Sequence, residues 1–398
     1  MFKAFTSRLL PVAVAALMLG CHSPSSQPAA PTPNAEAEGV VLTTPVNKYA
    51  LTIPVVIAGK SYTFLVDTGA AFTVLDNQIA ATLTEKAADN DVPSFLLESD
   101  TIDTASGVMS KNDVTFWRSL PMRIGHRDVH DAMPWHGLDL THVTQALGQR
   151  IDGILGAEVI RQLNWQVDNK AGTLTIRDGS PSLASYDTCM PYNSSFGNGP
   201  EIAVDLPEGQ WALMQIDTGS MDLYASPELL AALRDGHSPA EALPPGPSSE
   251  IDGVSESALY RISGLTLNGT RLGAMTAATS LTGTNNMGMN FLSRLDRYAL
   301  SPNLMVFCYT AANLSRDEPK AVRSVGIAFI HGRLEVAYNN PARIRGYGLE
   351  NGDVLLEVNK QRARPEEIQA LRQQVSNTPA GRLKLVIERQ GTRKTLTL

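Results

Sequence analysis

Thr63-Phe64-Leu65-Val66-Asp67-Thr68-Gly69-Ala70 returns 150 residues later as Leu213-Met214-Gln215-Ile216-Asp217-Thr218-Gly219-Ser220. Each copy runs an apolar strand into Asp-Thr-Gly, and a fixed period of this kind marks a duplicated unit. Without a gap the alignment continues into a helical pattern, residues 77–83 over 227–233. A second block follows in each half: Ile154-Leu155-Gly156 with Val159, Ile160 and Leu163 matches Asn286-Met287-Gly288 with Phe291, Leu292 and Leu295. Each half then ends in a strand, at 172–176 and 304–309. Two blocks in the same order leave little room for coincidence.

Each half therefore reads as strand, Asp-Thr-Gly turn, short helix, β-hairpins, apolar-apolar-Gly, helix and strand. Over about residues 46–312 this resembles the aspartic peptidases, with short retropepsin-like lobes, two in one chain as in pepsin. The resemblance implies a mainly β, two-lobed fold with pseudo-twofold symmetry, lobe 1 at 46–180 and lobe 2 at 181–312. It also implies an active site complete within a monomer and a polypeptide substrate. Asp67 and Asp217 become the catalytic pair. Hydrolysing a peptide with water needs a base to activate the water and an acid to protonate the departing amine. Two touching carboxylates supply both, because they cannot both ionise and so share one proton. By the same resemblance, Thr68 and Thr218 reach across the axis and lock the turns together. Gly69 and Gly219 allow the turn geometry and the close approach of the other turn. Ser220 hydrogen-bonds its carboxylate where Ala70 cannot, and Gly156 and Gly288 lie behind the turns. Hairpin flaps are expected at 103–108 and 251–255, each followed by a glycine turn (Ile124-Gly125, Asn268-Gly269), and neither carries the flap tyrosine of pepsin. No cofactor beyond the catalytic water is implied. Two other readings stand beside this one: ordinary turn aspartates, and a catalytically silent envelope scaffold that binds peptides.

Lys3 and Arg8 precede an apolar run at 9–20, short for a bilayer span but suited to a signal peptide. The run ends in Met18-Leu19-Gly20-Cys21, which resembles a bacterial lipobox with Met18 where Leu or Val is usual. This implies a lipoprotein signal at 1–21, lipidation of Cys21 and attachment to the bacterial envelope facing the periplasm. His22, in place of Asp, favours the outer membrane. The other reading is an ordinary signal peptide with an incidental Cys. Residues 22–45, rich in Pro, Ala and Ser, read as a flexible tether. Cys189 and Cys308 remain; in an oxidising compartment they either pair, across the strands that open and close lobe 2, or stay buried free thiols.

The length of 398 residues favours two to three domains. A net charge of −7 argues against nucleic acid as the main partner. The charge is uneven: residues 319–398 hold 14 Lys+Arg against 7 Asp+Glu, and the rest holds 19 against 33. A separate C-terminal domain is therefore expected beyond a charged linker at 313–320. Strands are expected at 325–330, 334–338, 354–358, 383–388 and 394–398, with an amphipathic helix at 365–375 burying Ile368, Leu371 and Val375. Asn340-Pro341-Ala342, Gly348-Leu349 and Asn351-Gly352-Asp353-Val354 through Val358-Asn359 resemble the bacterial PDZ pattern, with Lys360 replacing its usual Gly. The resemblance implies a PDZ domain at 321–398 that binds C-terminal peptides by strand addition, for substrate recruitment or regulation. Gly326-Ile327-Ala328-Phe329 is then the carboxylate loop; a packing or lid domain is the alternative. Finally, His126, His130, Asp131, His136, Asp139 and His142 crowd into 17 residues. Such a cluster could hold a metal, but the strand-turn-loop pattern favours exposed loop histidines and no metal. Trp117, Trp135 and Trp165 read as packing residues, Trp135 bordering the cleft.

Overall fold

Lys60–Val66 alternates buried and exposed side chains before turning fully buried at Leu65 and Val66, and it pairs antiparallel with Thr52–Ile57 through the two-residue turn Ala58-Gly59. Both turn residues have positive φ, as the tightest hairpins require. From this hairpin the first lobe grows into an eight-stranded sheet. Its order is Thr115–Trp117, Trp135–Leu138, Val74–Asp76, Gly153–Leu155, Lys60–Val66, Thr52–Ile57, Met122–Ile124, Arg127–Val129. The second lobe repeats this order in a nine-stranded sheet that adds the edge strand Ala240–Glu250 before Gly253–Ile262, Met275–Thr279, Leu223–Ala225, Asn286–Met287, Trp211–Ile216, Glu201–Asp205, Thr266–Leu267, Thr270–Arg271. Even the parallel pairings recur: Gly153–Leu155 runs parallel to Lys60–Val66 and Asn286–Met287 to Trp211–Ile216. The fold is mainly β.

This computed structural model describes residues 39–398 apart from 99, 104–107, 196, 238–239, 251–252 and 281. Cys21, the signal segment and residues 22–38 of the expected tether lie outside the described residues. The end of that tether is corrected: Val40–Pro45 is a strand, paired antiparallel with Thr173–Arg177, and it buries Val41. It forms one edge of a six-stranded sheet that continues through Thr173–Arg177, Asn164–Asp168, Arg297–Ser301, Val306–Thr310 and Thr188–Pro191. The lobes meet at its centre, where Trp165 faces Leu300 and Val167 faces Tyr298 across the ladder. At the far edge Cys189 lies directly opposite Cys308, and a disulfide joins them. One core runs through both lobes, with Phe64, Trp135, Ile202 and Phe307 fully buried.

The C-terminal module has its own core, including Val336, Leu355, Leu371 and Leu385. Its sheet orders Ile327–Ile330, Arg333–Val336, Val354–Val358, Lys384–Arg389 and Thr392–Thr397, with helix Ile368–Asn377 packed beside it. Gly39–Leu398 forms a single compact unit, and the module is clamped to both lobes. From lobe 1, the Ala146 carbonyl accepts from Gln369 and from Arg372 Nη1 (2.9 Å), and the Tyr49 hydroxyl bonds Gln373 at 2.9 Å. From lobe 2, Glu256 accepts from the Tyr338 hydroxyl at 2.8 Å and pairs with Arg343 at 3.0 Å. The expected linker is corrected as well. Leu314 is buried in the main core, the Ala274 N–H donates to Asp317, and the Thr276 N–H donates to Glu318. These charged residues are spent on backbone amides of lobe 2, so the segment is laid onto the lobe rather than strung between domains.

Candidate functional site

Each Asp-Thr-Gly turn starts where its strand leaves the sheet, and the strand from the second sequence block holds it from behind. Asp67 N–H donates to the Leu155 carbonyl and Asp217 N–H to that of Met287. The carboxylate then folds back onto its own turn. Gly69 and Ala70 N–H groups donate to Asp67 Oδ1 at 2.8 and 3.0 Å; those of Gly219 and Ser220 donate to Asp217 Oδ1, both at 3.0 Å. The Ser220 hydroxyl does not add to this, contrary to expectation; it donates to the Asp222 carbonyl, and only the amide reaches the carboxylate.

The threonines join the two turns. Thr68 Oγ1 donates to the Ile216 carbonyl at 2.6 Å and accepts the Thr218 N–H at 3.0 Å. Thr218 Oγ1 reciprocates, donating to the Val66 carbonyl at 2.7 Å and accepting the Thr68 N–H at 3.1 Å. These four buried hydrogen bonds cross the axis, and the two hydroxyls also lie within 3.4 Å of each other. Because the turns approach so closely, a Cβ on Gly69 would lie 2.6 Å from Asp217 Cγ, and one on Gly219 would lie 2.0 Å from Asp67 Cγ. Neither glycine has positive φ, so contact distance rather than backbone freedom demands them. Gly156 and Gly288 sit behind, where a Cβ would meet the Phe72 carbonyl carbon at 2.2 Å and the Asp222 carbonyl oxygen at 2.2 Å.

The Asp67 and Asp217 carboxyls lie close enough across the axis to shift each other's ionisation. Desolvation, then the neighbouring Asp217 charge, raises Asp67 well above the usual carboxylate range. Desolvation also raises Asp217, opposed by the Ser220 and Gly219 amides, by Asp67 and by Asn286. Two such groups titrate as one unit, and both directions say that the pair retains a proton when isolated carboxylates have lost theirs.

The pair lies in a cavity of about 1370 Å³. Ile102 and Met109 line it from the hairpin Thr101–Asp103/Val108–Ser110, and Leu243 and Leu259 from the hairpin Ala240–Glu250/Gly253–Ile262. These hairpins stand where flaps are expected; residues 104–107 and 251–252 at their tips lie outside the described residues. Val325, Gly326, Ile327 and Ala328 of the C-terminal module line the same cavity. Ile327, Ala328 and Phe329 belong to a strand paired with Arg333–Val336, and Gly326 is small because a Cβ would lie 2.0 Å from the Ala337 carbonyl oxygen.

The His-rich stretch divides. His126 and His130 are exposed, but His136 sits in the strand Trp135–Leu138, is 4% exposed and stacks on Phe72 at 4.6 Å. It is therefore not a loop histidine, and burial pushes its imidazole down to about 4. Among the described residues no three His, Cys, Asp or Glu side chains are placed to hold a metal ion. Trp135 is fully buried in the core rather than bordering the cleft.

Three residues around the pair were missed in the sequence. Asn286 donates its amide to Asp217 Oδ2 at 2.7 Å. Asp222, raised to about 6 by desolvation, accepts from Asn290, and Arg372 of the module acts on it electrostatically. Asn286 carried a signal, being the one polar residue in a block whose counterpart is Ile154. Asp222 and Arg372 carried none. Residues 53–159 match the family model described as aspartyl protease, a span that holds Asp67, its turn and Gly156 but ends before the second lobe. The match supports protease function. No curated protein matches the chain.

Proposed function

We propose that the chain is an aspartic endopeptidase whose active site is the Asp67/Asp217 pair, assembled within one monomer from both lobes. The reciprocal threonine bonds carry this reading, because they fix two desolvated carboxylates in contact at the floor of a large cleft. In the reaction the ionised carboxylate takes a proton from water as the water oxygen bonds to the scissile carbonyl carbon. The protonated carboxyl gives its proton to the carbonyl oxygen. When the tetrahedral diol collapses, the C–N bond breaks, the first carboxyl protonates the departing nitrogen, and the second recovers its proton from a diol hydroxyl. No covalent intermediate with the chain is required.

The C-terminal module acts in this reading as a wall of the substrate cleft, since Val325–Ala328 face the same cavity as the two aspartates. Helix Thr141–Leu147 of lobe 1 packs along its edge strand Ile327–Ile330. A bound chain would thus contact the module while its scissile bond lies at the pair. Lipidation at Cys21, with display on the periplasmic face of the outer membrane, is part of the proposal and rests on the N-terminal sequence; Cys21→Ser should release the protein from the membrane fraction, and continued attachment would contradict it.

Incubation of the full chain with a denatured protein, from acid to neutral pH, tests the main reading. Mass spectrometry should show internal cleavage with no transfer of the acyl fragment to an added amine. Transfer would contradict direct water attack. Binding without cleavage at every pH would favour the scaffold reading instead.

A further inference from the structure

The backbone amides of the two catalytic turns hold their carboxylates in the same way. Each Oδ1 accepts two amides of its own turn. Asp217 Oδ2 additionally accepts the Asn286 side-chain amide at 2.7 Å. The position aligned with Asn286 in lobe 1 is Ile154, which is buried and offers no donor. Asn286 is 2% exposed, and its backbone is fixed in the strand Asn286–Met287, opposite Gln215 on one side and Tyr224 on the other. Its amide therefore has a held direction.

A donor aimed at a carboxylate stabilises the ionised form and has no such effect on a neutral carbonyl oxygen or hydroxyl. Three donors from its own lobe act on Asp217 and two on Asp67. We infer that Asn286 is a positioning residue that breaks the symmetry of the pair, fixing Asp217 as the base that activates water and leaving the shared proton on Asp67. This rests on the peptidase reading above and deepens it by assigning the two roles. The other ionisable groups lining the cleft near the pair include Asp222 just after the same turn, Tyr224 paired opposite Asn286, Arg294 with Glu318, Arg372 from the helix Ile368–Asn377, and His136 from lobe 1. Substituting Asn286 changes none of them.

The sign follows from the charge. Because Asn286 favours ionised Asp217, it lowers the first apparent pKa of the pair, which sets the acid limb of kcat/KM. Asn286→Ile installs the lobe 1 residue and removes the donor. The acid limb should move up by about one to two pH units, the shift expected from losing a hydrogen bond to a charged acceptor, with KM little changed. The reciprocal variant Ile154→Asn leaves Asn286 in place, gives Asp67 a matching donor and should move the limb down. It also keeps the test decisive if Asn286→Ile fails to fold, which thermal melting would reveal.

The experiment is the pH profile of peptide cleavage by the wild-type chain, both variants and Asp67→Asn. A cleaving enzyme, silenced by Asp67→Asn, whose acid limb ignores both substitutions would overturn the role assignment and leave the peptidase reading standing. A downward shift in Asn286→Ile would overturn it too, since the side chain would then face Asp217 with its oxygen and favour the protonated form. A wild-type chain that cleaves nothing would overturn both readings together.

Discussion

Thr218→Val keeps the shape of a side chain that is 4% exposed and removes its hydroxyl. Two hydrogen bonds disappear, the one donated to the Val66 carbonyl at 2.7 Å and the one accepted from the Thr68 N–H at 3.1 Å. Both groups left behind are in the buried interface between the turns. Stranding a buried donor or acceptor costs about 1–3 kcal/mol each, so the variant should lose roughly 2–6 kcal/mol. That is a large part of the ~5–15 kcal/mol that holds a typical domain folded. Activity should fall further than stability at assay temperature suggests, because the same bonds align the carboxylates and a misplacement of about 1 Å can cost ~10²-fold. Urea unfolding of wild type, Thr218→Val and Thr218→Ser provides the measurement. Serine retains both bonds and should stay close to wild type. A Thr218→Val midpoint equal to that of Thr218→Ser would refute the claim that these hydroxyls lock the lobes.

Gly219→Ala should abolish cleavage while the protein stays folded, since the new Cβ displaces the Asp67 carboxylate it would otherwise meet at 2.0 Å; retained turnover would show that the turns are not in contact. His136 predicts an acid sensitivity. Its pKa of about 4 lies below the ~6.5 of an unfolded imidazole, so the unfolded chain binds the extra proton and stability falls as pH drops from about 6.5 to 4. The effect is about 3 kcal/mol when complete. Asp222, raised to about 6, acts in the opposite sense between about 4 and 6, so the comparison is His136→Phe against wild type, and identical acid profiles would exclude the effect. Truncation after Lys320 should reduce cleavage even of a short peptide, because Val325–Ala328 leave the cleft wall and Gln373 leaves Asn290, to which it donates at 3.0 Å; unchanged turnover would make the module a separate appendage.

Much of this was legible in the sequence, for reasons specific to certain residues. The repeat singled out Asp67, Thr68, Gly69 and their partners because the geometry there tolerates few alternatives: a Cβ at Gly69, Gly156, Gly219 or Gly288 collides within 3 Å. The mainly β fold followed from the resemblance that the repeated blocks carry. The strand Val40–Pro45 was not legible, because its partner lies at Thr173–Arg177 and only that distant pairing gives a Thr- and Pro-containing segment its conformation. The burial of His136 escaped for a related reason, its cover being Phe72 from the bend before Val74–Asp76 and Phe116 from the strand Thr115–Trp117. At 313–320 the charges suggested solvent, yet Asp317 and Glu318 accept backbone amides. Composition reports how polar a segment is, not which partners it will meet.

The central claim is that Asp67 and Asp217 act as one catalytic unit. Turnover of a single peptide by wild type, Asp67→Asn, Asp217→Asn and the double variant tests it most directly. Each single substitution preserves shape but removes a proton-sharing partner, so each should lower kcat by at least about 10²–10⁴-fold, and the double variant should be scarcely worse than either. Near wild-type turnover in either single variant, or independent losses that multiply in the double, would contradict the account.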